Sequence, residues 1–424
     1  MTGAELIADL RARGLIAQMT ADKELEEHLD QSRTLYCGFD PTADSLHIGS
    51  LVPLLTLTRF QLAGHKPIAL VGGATGLVGD PSGKSEERNL NTPDVVANWV
   101  DKLRAQVSAF VDFECGDNSA VVVNNLDWSG EVRVLDFLRD IGKHFAVNQM
   151  VKKESVKQRI EREGEGISFT EFSYMILQSW DFAELNKAHN CTLQIGGSDQ
   201  WGNITGGTDL ARRLNGSEVF GLTLPLVTKS DGSKFGKTAS GTIWLDPKKT
   251  SPYAFYQFWI NSADADVYKF LRYFTFVPVQ HIHDWEQSGD RHQNVLADEV
   301  TRLVHGEEGL LAAQRITAAL FGGSTQILTE DDLCQLRLDG LPSSNLQAND
   351  LVKPLTAILS EHGVGQGKQI KDALSRHAVL INEQPIGMDR NMSAAELLSK
   401  ENAKYGRFFL VKLGKKKYHL LELI

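Results

Sequence analysis

Short apolar runs that alternate with helical patterns constrain the fold of this chain more than any other feature. Segments that we predict to be helical separate these runs at 46–63, 93–113, 131–142 and roughly 168–188. Apolar strands connected by helices are typical of a parallel sheet covered on both faces, so we predict an α/β fold. The predicted strands are 34–39, 67–72, 120–125, 192–196 and 221–227.

Polar residues cluster directly after these strands. They are Asp40, Asp80, Asn125 and the pair Asp199-Gln200. Open parallel sheets bind ligands at the carboxyl ends of their strands, where the strand order switches. The sequence therefore predicts a functional site built from these side chains.

Length and composition bound the class of protein. A chain of 424 residues exceeds the size of a single core, so we expect two or three domains. No apolar run is long enough for a transmembrane helix, and the N-terminus lacks a signal core. The four cysteines lie far apart and form no C-x-x-C pair, which argues against a zinc site and a disulfide framework. We expect a soluble, reduced, cytoplasmic protein without a membrane segment.

Composition shifts along the chain predict the domain boundaries. Residues 1–246 carry the α/β pattern, with an insertion at about 126–165, and 247–320 read as helical. Residues 321–350 are rich in Gly, Ser, Asp and Asn, as linkers are. Residues 351–424 read as a small α+β domain.

Charge is unevenly divided between this last segment and the rest. Residues 351–424 hold 12 Lys and Arg against 7 Asp and Glu, whereas the whole chain has a net charge of −10. A basic tail on an acidic body indicates a module that meets a polyanion, although a solvated surface would have the same composition.

Two short motifs carry chemistry suited to phosphate. His47 and Gly49 lie between a predicted strand and a helix, and a helix start offers free N–H groups to an anion. Lys234 and Lys237 flank a glycine after another strand, where they can clamp a phosphate electrostatically. The glycine-rich segment 79–85 is not a P-loop, because only three residues separate its glycines.

These motifs together resemble a known family. His47-Ile-Gly-Ser50 and Lys234-Phe-Gly-Lys-Thr238 resemble the HIGH and KMSKS signatures of class I aminoacyl-tRNA synthetases. The longer stretches 36–47, 71–84 and 194–203 resemble the bacterial tyrosyl-tRNA synthetases, and the likeness covers nearly the whole chain. It implies a Rossmann-like parallel-sheet catalytic domain, an α-helical anticodon-side domain and an RNA-binding domain of the ribosomal small-subunit protein four type.

The resemblance implies a tyrosine–tRNA ligase activity. Such enzymes form tyrosyl-adenylate and pyrophosphate from L-tyrosine and ATP, then transfer tyrosyl to the 3′-terminal adenosine of tRNA(Tyr). Tyr174, Gln178 and Asp181 fall at helical spacing, so one helix face presents all three. By resemblance, Tyr36 and Asp181 read the phenol, Asp80, Tyr174 and Gln178 hold the ammonium, and Gln200 supports the pocket.

The same resemblance implies how ATP is bound. Mg²⁺ is expected to arrive with ATP, and no set of metal ligands or prosthetic group is expected. The implied ATP-binding residues are Cys37, Gly38, Asp40, His47, Gly49, Ser50, Asp199, Lys234 and Lys237. The implied catalytic residues are His47, Ser50, Lys234 and Lys237, with Thr42, Lys84 and Arg88 as helpers.

Two places depart from the family pattern. Ser50 stands where the HIGH signature has His, which predicts retained chemistry with an altered nucleotide contact. In the tail, the basic loop is thinned at Gly367 and Gln369. The residues expected to contact tRNA are Lys368, Lys371, Lys412, Lys415, Lys416 and Lys417.

The resemblance also implies a homodimer, and two other functions remain open. Apolar residues of 130–150, namely Val132, Leu135, Phe137, Leu138 and Phe145, could form the dimer interface or the core. A tryptophanyl-tRNA synthetase would share the signatures and fold, but Tyr36 with Asp181 favours a phenol over an indole. A non-catalytic RNA-binding protein on a synthetase scaffold is the alternative from another class.

Overall fold

The chain forms two compact units. Unit 1 comprises residues 1–245 and 263–292, and unit 2 comprises 246–262 and 293–424. The computed structural model describes residues 1–82, 91–161, 166–232, 235–238, 241–392, 394–415 and 417–424, and gives only the backbone of 154, 155, 158, 237 and 238. In this described part, no helix is both long and apolar enough to cross a membrane.

Strands and helices are numbered here in chain order. The strands are β1 (Gln18–Met19), β2 (Thr34–Phe39), β3 (Lys66–Val71), β4 (Val121–Asn124), β5 (Cys191–Gly197), β6 (Phe220–Leu224), β7 (Lys237–Thr238), β8 (Gly241–Thr242), β9 (Ser343–Leu346), β10 (Val379–Ile381), β11 (Gln384–Ile386), β12 (Phe408–Leu413) and β13 (Lys417–Leu423). The helices are α1 (Gly3–Ala12), α2 (Asp22–His28), α3 (Leu51–Leu62), α4 (Thr75–Val78), α5 (Pro93–Val107), α6 (Leu126–Ser129), α7 (Val134–Asp136), α8 (Val147–Met150), α9 (Glu154–Ile160), α10 (Phe169–His189), α11 (Trp201–Asn215), α12 (Pro252–Ile260), α13 (Asp264–Phe274), α14 (Val279–Ser288), α15 (Gln293–Leu320), α16 (Glu330–Gln335), α17 (Leu355–Glu361), α18 (Gly367–Ser375) and α19 (Ala394–Leu397).

The sheet of unit 1 has the strand order β1-β6-β5-β2-β3-β4. All neighbours are parallel except β1 and β6, which are antiparallel. Strand β3 is buried at every position after Lys66, and β6 is buried throughout, as expected for strands covered on both faces. The α/β class and the five predicted strands are confirmed.

The strand order switches between β2 and β5. From β2 the chain adds β3 and β4 on one side, whereas β5 and β6 lie on the other. A crevice therefore opens at the carboxyl ends of β2 and β5, which is where open α/β sheets bind ligands.

Two helices predicted from periodicity are shorter than expected. The segment predicted at 93–113 ends as a helix at Val107. Instead of one helix at 131–142, the structure has the short α7 followed by a π-helical turn, Phe137–Ile141. Several apolar side chains of this region face outward, so it lacks the one-sided burial that stabilises a long amphipathic helix.

Unit 2 is built around a five-stranded sheet, ordered β11-β10-β12-β13-β9. Alternate residues of β12 point to opposite faces: Phe409 and Val411 pack in one core, with α17 and α18, and Phe408 and Leu410 in another. The second core also contains Tyr253 of α12 and residues of α15 and α16.

The predicted boundaries after residue 246 differ from this arrangement. Residues 321–350 are not a bare linker, because they include α16 and β9, and β9 pairs in parallel with β13. Helices α13 and α14 cluster with unit 1 and not with α12 and α15. Periodicity identified these helices but could not tell which core each one joins, since that depends on contacts distant in sequence.

Candidate active site

A cavity of about 640 Å³ opens at the carboxyl ends of β2 and β5. Its wall includes the side chains of Tyr36 on β2, Gln194 on β5 and three polar residues of α10. The α10 residues are Tyr174, Gln178 and Asp181, so the one-face spacing predicted from sequence places all three at the cavity. This volume suits a small organic ligand.

Tyr36 and Gln194 occupy neighbouring positions on paired parallel strands, so both side chains leave the same face of the sheet. Tyr36 is 1% exposed, yet its hydroxyl has no hydrogen-bond partner among the described residues. The same holds for Oε1 of the buried Gln194. Buried polar atoms are nearly always paired, so two unpaired ones facing a cavity indicate a polar ligand.

Asp181 lies at the same end of the cavity and is fully buried. Its carboxylate accepts hydrogen bonds from Asn125 Nδ2 at 3.0 Å and from the indole Nε1 of Trp128 at 2.9 Å. Burial raises the pKa of Asp181 to about 7, although these two bonds oppose the shift. Burial also raises the pKa of Tyr36 well above its ordinary value, and the charge of Asp181 adds to this.

A second carboxylate, Asp40, is held in the wall just beyond β2. Tyr174 Oη donates to Asp40 Oδ2 at 2.6 Å, and Thr75 Oγ1 donates to Asp40 Oδ1 at 2.6 Å. Asn125 Nδ2 also donates to Thr75 Oγ1 at 3.0 Å. One network therefore joins Asp40 to Asp181, and it fixes both carboxylates before any ligand is present.

Gly72 is required by this network. A Cβ atom there would lie 2.0 Å from Asp40 Oδ1 and 2.2 Å from Thr75 Oγ1. Any larger residue would displace the two side chains that hold this part of the wall.

Asp80 provides a third carboxylate to the cavity. It accepts from the Ser82 amide at 2.8 Å and from Gln200 Nε2 at 2.7 Å. Burial raises its pKa to about 6, despite these two bonds. Asn203 Nδ2 links Gln200 to Gln178 through bonds of 3.1 and 2.9 Å to their side-chain oxygens. Of the residues expected around an ammonium, Asp80, Gln178 and Gln200 are therefore connected by hydrogen bonds through Asn203, whereas Tyr174 bonds to Asp40.

The His47 segment forms the other side of the cavity. The His47 ring accepts a hydrogen bond from the Gly49 amide at 3.0 Å and caps the 3₁₀ turn Ile48–Ser50, which leads into α3. His47 and Gly49 line the cavity, and so does Ser50 at the start of α3. The helix start is thus presented to the cavity as the sequence predicted.

Other residues expected at the ATP site differ in placement. Cys37, Gly38 and Asp199 line the cavity, whereas Thr42 is exposed and is not among the described residues that line it. Burial raises the pKa of the Cys37 thiol to about 12, so it stays protonated and is a poor nucleophile at neutral pH. Thr42 was assigned to the site by resemblance, and that assignment stays a prediction.

The structure describes no side chain for four basic residues of the predicted site. Lys84, Arg88 and Lys234 lie outside the described residues. Lys237 is known only from its backbone, which pairs in β7 with Thr242 of β8. Gly232 and Phe235 flank Lys234 in sequence and both line the cavity.

Four polar residues of this site were missed or undervalued from sequence. Thr75 and Asn203 lie within the stretches that resemble the family but were given no role, and Trp128 lies outside them; only the fold brings Thr75 to Asp40, Trp128 to Asp181 and Asn203 to Gln178 and Gln200. Gln194 did leave a signal, because it interrupts an otherwise apolar strand that is buried on both faces. A polar residue in such a strand needs a partner or a ligand.

The basic residues of the tail lie in unit 2. Lys368 and Lys371 are exposed on α18, and Lys415 and Lys417 are exposed at the turn between β12 and β13. Lys412 Nζ lies 4.9 Å from the centre of the Tyr418 ring. Lys416 lies outside the described residues.

Comparisons with known proteins identify the family of this chain. The model of the family "tRNA synthetases class I (W and Y)" matches residues 28–322. A tyrosine–tRNA ligase of Aliivibrio salmonicida is 63% identical over 424 residues, covering 98% of each chain, and one of Escherichia coli is 56% identical over 429 residues, covering 99% of each. A C-terminally truncated mitochondrial tyrosyl-tRNA synthetase of Aspergillus nidulans superposes with a TM-score of 0.66 at 30% identity, covering 74% of this chain and 94% of that one. With its fold, its cavity and these likenesses taken together, the chain belongs to the class I aminoacyl-tRNA synthetases and, within them, to the bacterial tyrosyl-tRNA synthetases.

Proposed function

We propose that this chain is a tyrosine–tRNA ligase. It activates L-tyrosine with ATP to form tyrosyl-adenylate and pyrophosphate, then transfers the tyrosyl group to the 3′-terminal adenosine of tRNA(Tyr). The observation that carries the proposal is the hydroxyl of buried Tyr36, which has no hydrogen-bond partner in the described part of the chain and lies at the cavity end that also holds Asp181.

The phenol of the substrate is read by these two residues. A phenol hydroxyl donates one hydrogen bond and accepts another, so it can donate to the Asp181 carboxylate and accept from Tyr36. Phenylalanine would leave both groups unpaired in a buried site. Unpaired buried polar groups lower the rate with such a substrate strongly, and the rejection of phenylalanine by tyrosyl-tRNA synthetases is an established example.

The substrate ammonium lies against Asp80, Tyr174 and Gln178, supported by Gln200. Asp80 is partly exposed, but its desolvation in the cavity wall raises its pKa to about 6, so a nearby cation would stabilise its charged form. The connected amides of Gln178, Gln200 and Asn203 keep this end of the cavity polar.

The chemical step needs no covalent intermediate on the protein. A carboxylate oxygen of tyrosine forms a bond to the α-phosphorus of ATP, and the bond from that phosphorus to the bridging oxygen of pyrophosphate breaks. Catalysis then consists of positioning and of stabilising the charge that develops on the leaving group. Lys234 and Lys237 act on pyrophosphate, with Lys84 and Arg88 assisting.

ATP occupies the side of the cavity formed by the start of α3. His47 and the amides near Gly49 meet its phosphates, Asp199 holds the ribose, and Cys37, Gly38 and Asp40 line the remaining wall. Ser50 donates a hydrogen bond over a shorter reach than the usual histidine. Mg²⁺ arrives with ATP, and its ligands are mainly phosphate oxygens and water.

Unit 2 supplies the tRNA-binding surface. Four lysines are exposed there: Lys368, Lys371, Lys415 and Lys417. They lie in a segment with a net positive charge, whereas the rest of the chain is acidic. Lysines in such a position neutralise backbone phosphates and bind without reading sequence. Because tRNA charging serves translation, the proposed place of action is the cytoplasm.

We also propose a homodimer formed through the surface around α7. Val134, Leu135 and Leu138 are 73%, 79% and 51% exposed, which is unusual for three apolar side chains within five residues. Val132, Phe137 and Phe145 instead pack against the core. Only the first set is available to a second copy.

Pyrophosphate exchange with each of the twenty amino acids tests the proposed reaction. ATP should form from labelled pyrophosphate with tyrosine and not with phenylalanine or tryptophan. Exchange driven by tryptophan would identify a tryptophanyl-tRNA synthetase instead. No exchange with any amino acid, together with intact tRNA binding, would support the non-catalytic alternative.

A further inference from the structure

Helix α13 is fixed to the core of unit 1 at its C-terminal end. The side chain of Arg13 donates to the carbonyls of Thr275 at 3.4 Å and Val277 at 3.1 Å. Buried Arg59 also donates to the Thr275 carbonyl and lies over the Phe276 ring, 4.5 Å from its centre. Guanidinium groups at a helix C-terminus satisfy its free carbonyls and favour its dipole, so this end of α13 is firmly held.

The first turn of the same helix holds the segment that leads to Lys234. Asp266 is 3% exposed, and its carboxylate accepts from the Ser230 amide at 3.0 Å and from Ser230 Oγ at 3.1 Å. Lys269, one turn later, donates to the Thr228 carbonyl at 2.5 Å and lies 3.5 Å from the Asp266 carboxylate. Asp266 and Lys269 of α13 therefore form hydrogen bonds with backbone groups of the residues that shortly precede Lys234 in the sequence.

The residue after Lys234 is held by the same helix. The Phe235 ring lies 5.2 Å from the centres of the Phe270 and Phe274 rings. At the next residue, the Gly236 carbonyl accepts from the Ile243 amide at 3.0 Å. Ile243 in turn accepts from the amide of Ile48, which follows His47, at 2.9 Å. The described residues Phe235 and Gly236 are thus held between α13 and the helix start that faces the cavity.

We propose that Asp266 is a positioning residue for amino-acid activation, acting through Ser230 on the segment that carries Lys234 and Lys237. This rests on the function proposed above. A buried carboxylate costs free energy unless its partners repay it, and here the partners belong to a segment whose position matters for catalysis. Asp266 is not among the described residues that line the cavity, so we expect its effect to reach the reaction through the lysine segment.

Asp266→Asn tests this with little change of shape. The amide keeps one acceptor oxygen and replaces the other by a donor, so the two hydrogen bonds from Ser230 cannot both be kept as they are and the segment should shift. A displacement of about 1 Å at reacting groups costs on the order of 100-fold, so kcat for tyrosine-dependent exchange should fall by about 10- to 100-fold. The dissociation constant of tyrosine, measured by equilibrium dialysis, should stay within about twofold of the value for the parent protein, because the residues proposed to bind tyrosine are unchanged.

Three further proteins separate positioning from folding. Asp264→Asn changes an exposed carboxylate of the same helix turn and should leave kcat unchanged. Asp266→Glu keeps the acceptor and should recover part of the loss. Lys269→Met removes the second contact, so it should also lower kcat without affecting tyrosine affinity, and it replaces Asp266→Asn as the test if that variant does not fold.

A double-mutant cycle gives the decisive result. In a Lys234→Ala/Lys237→Ala background, Asp266→Asn should lower the residual kcat by less than about threefold, since residues acting through one another are not additive. Full additivity would overturn the proposal, as would a normal kcat in Lys269→Met and Asp266→Asn. A parent that lacks exchange altogether would instead refute the proposed function, which distinguishes the two failures.

Discussion

The indole nitrogen of Trp128 donates a 2.9 Å hydrogen bond to the carboxylate of Asp181, deep in the candidate site. Neither residue is close to the other in sequence. The bond lowers the pKa of a carboxylate that burial raises to about 7, so Trp128 helps to keep Asp181 charged.

Trp128→Phe should therefore weaken tyrosine binding at pH 7. The pKa of Asp181 rises when the donor is lost, so a larger fraction of the protein has this carboxyl protonated. A smaller fraction then offers a carboxylate that can accept a hydrogen bond from the phenol. Hydrogen bonds to charged groups contribute about 1.5–3 kcal/mol, so we expect roughly a tenfold or greater rise in the tyrosine dissociation constant. Part of the affinity should return at pH 8.5. Trp285→Phe, remote from the site, is the control, and equal losses at both pH values would contradict this account.

Tyr36→Phe should lower affinity without lowering stability. The hydroxyl has no partner among the described residues, so its removal relieves an unsatisfied buried group in the free protein. With tyrosine bound, one neutral hydrogen bond is lost, which is worth about 0.5–1.5 kcal/mol, or roughly threefold to tenfold in affinity. Thermal unfolding and tyrosine titration measure the two effects. A clear fall in Tm would show that the hydroxyl serves the fold.

The pH dependence of stability should report Asp181. Its pKa is about 7 when folded and about 3.9 in an unfolded chain, so between these values the folded state binds more protons. Stability from this group is present at low pH and is lost as pH rises towards 8. Relative to Asp181→Asn, the parent should lose about 3 kcal/mol between pH 5 and 8 in urea unfolding. Asp80 is present in both proteins, so its contribution cancels in the difference. Parallel curves of the free energy of unfolding against pH would refute the raised pKa of Asp181.

Leu135→Glu/Leu138→Glu should produce a monomer. Two carboxylates in the centre of an apolar interface would be buried without partners on association. Light scattering after gel filtration should show half the parental mass at the same concentration. Leu62→Glu changes another highly exposed leucine, 74% accessible, and should leave the mass unchanged. An unchanged mass in the double variant would place any interface elsewhere.

Lys368→Gln/Lys371→Gln should impair tRNA charging and spare activation. Each lysine that neutralises a phosphate contributes a term of about 0.9 to the salt dependence of binding, so the affinity for tRNA and its salt slope should both fall. Pyrophosphate exchange should stay at the parental rate. Lys23→Gln/Lys187→Gln, on exposed positions of unit 1, is the matched control. Loss of exchange in the first variant would contradict the division of labour between the units.

The local pattern was enough to predict much of the site. Tyr36 lies within the buried strand β2 and Asp40 follows it, and α10 presents Tyr174, Gln178 and Asp181 at helical spacing, so periodicity brought them towards one edge of the sheet. Similarity of short motifs then indicated the chemistry.

What the sequence by itself determined is the alternation of strands and helices and the identity of the groups at the strand ends, because both depend on spacing within one element. Only the tertiary structure decided that Trp128 meets Asp181, that α13 belongs to unit 1 and carries Asp266 to Ser230, and that 321–350 adds β9 to the sheet of unit 2. Those contacts join residues far apart in the chain, and their formation depends on how complete faces pack, which no local period encodes.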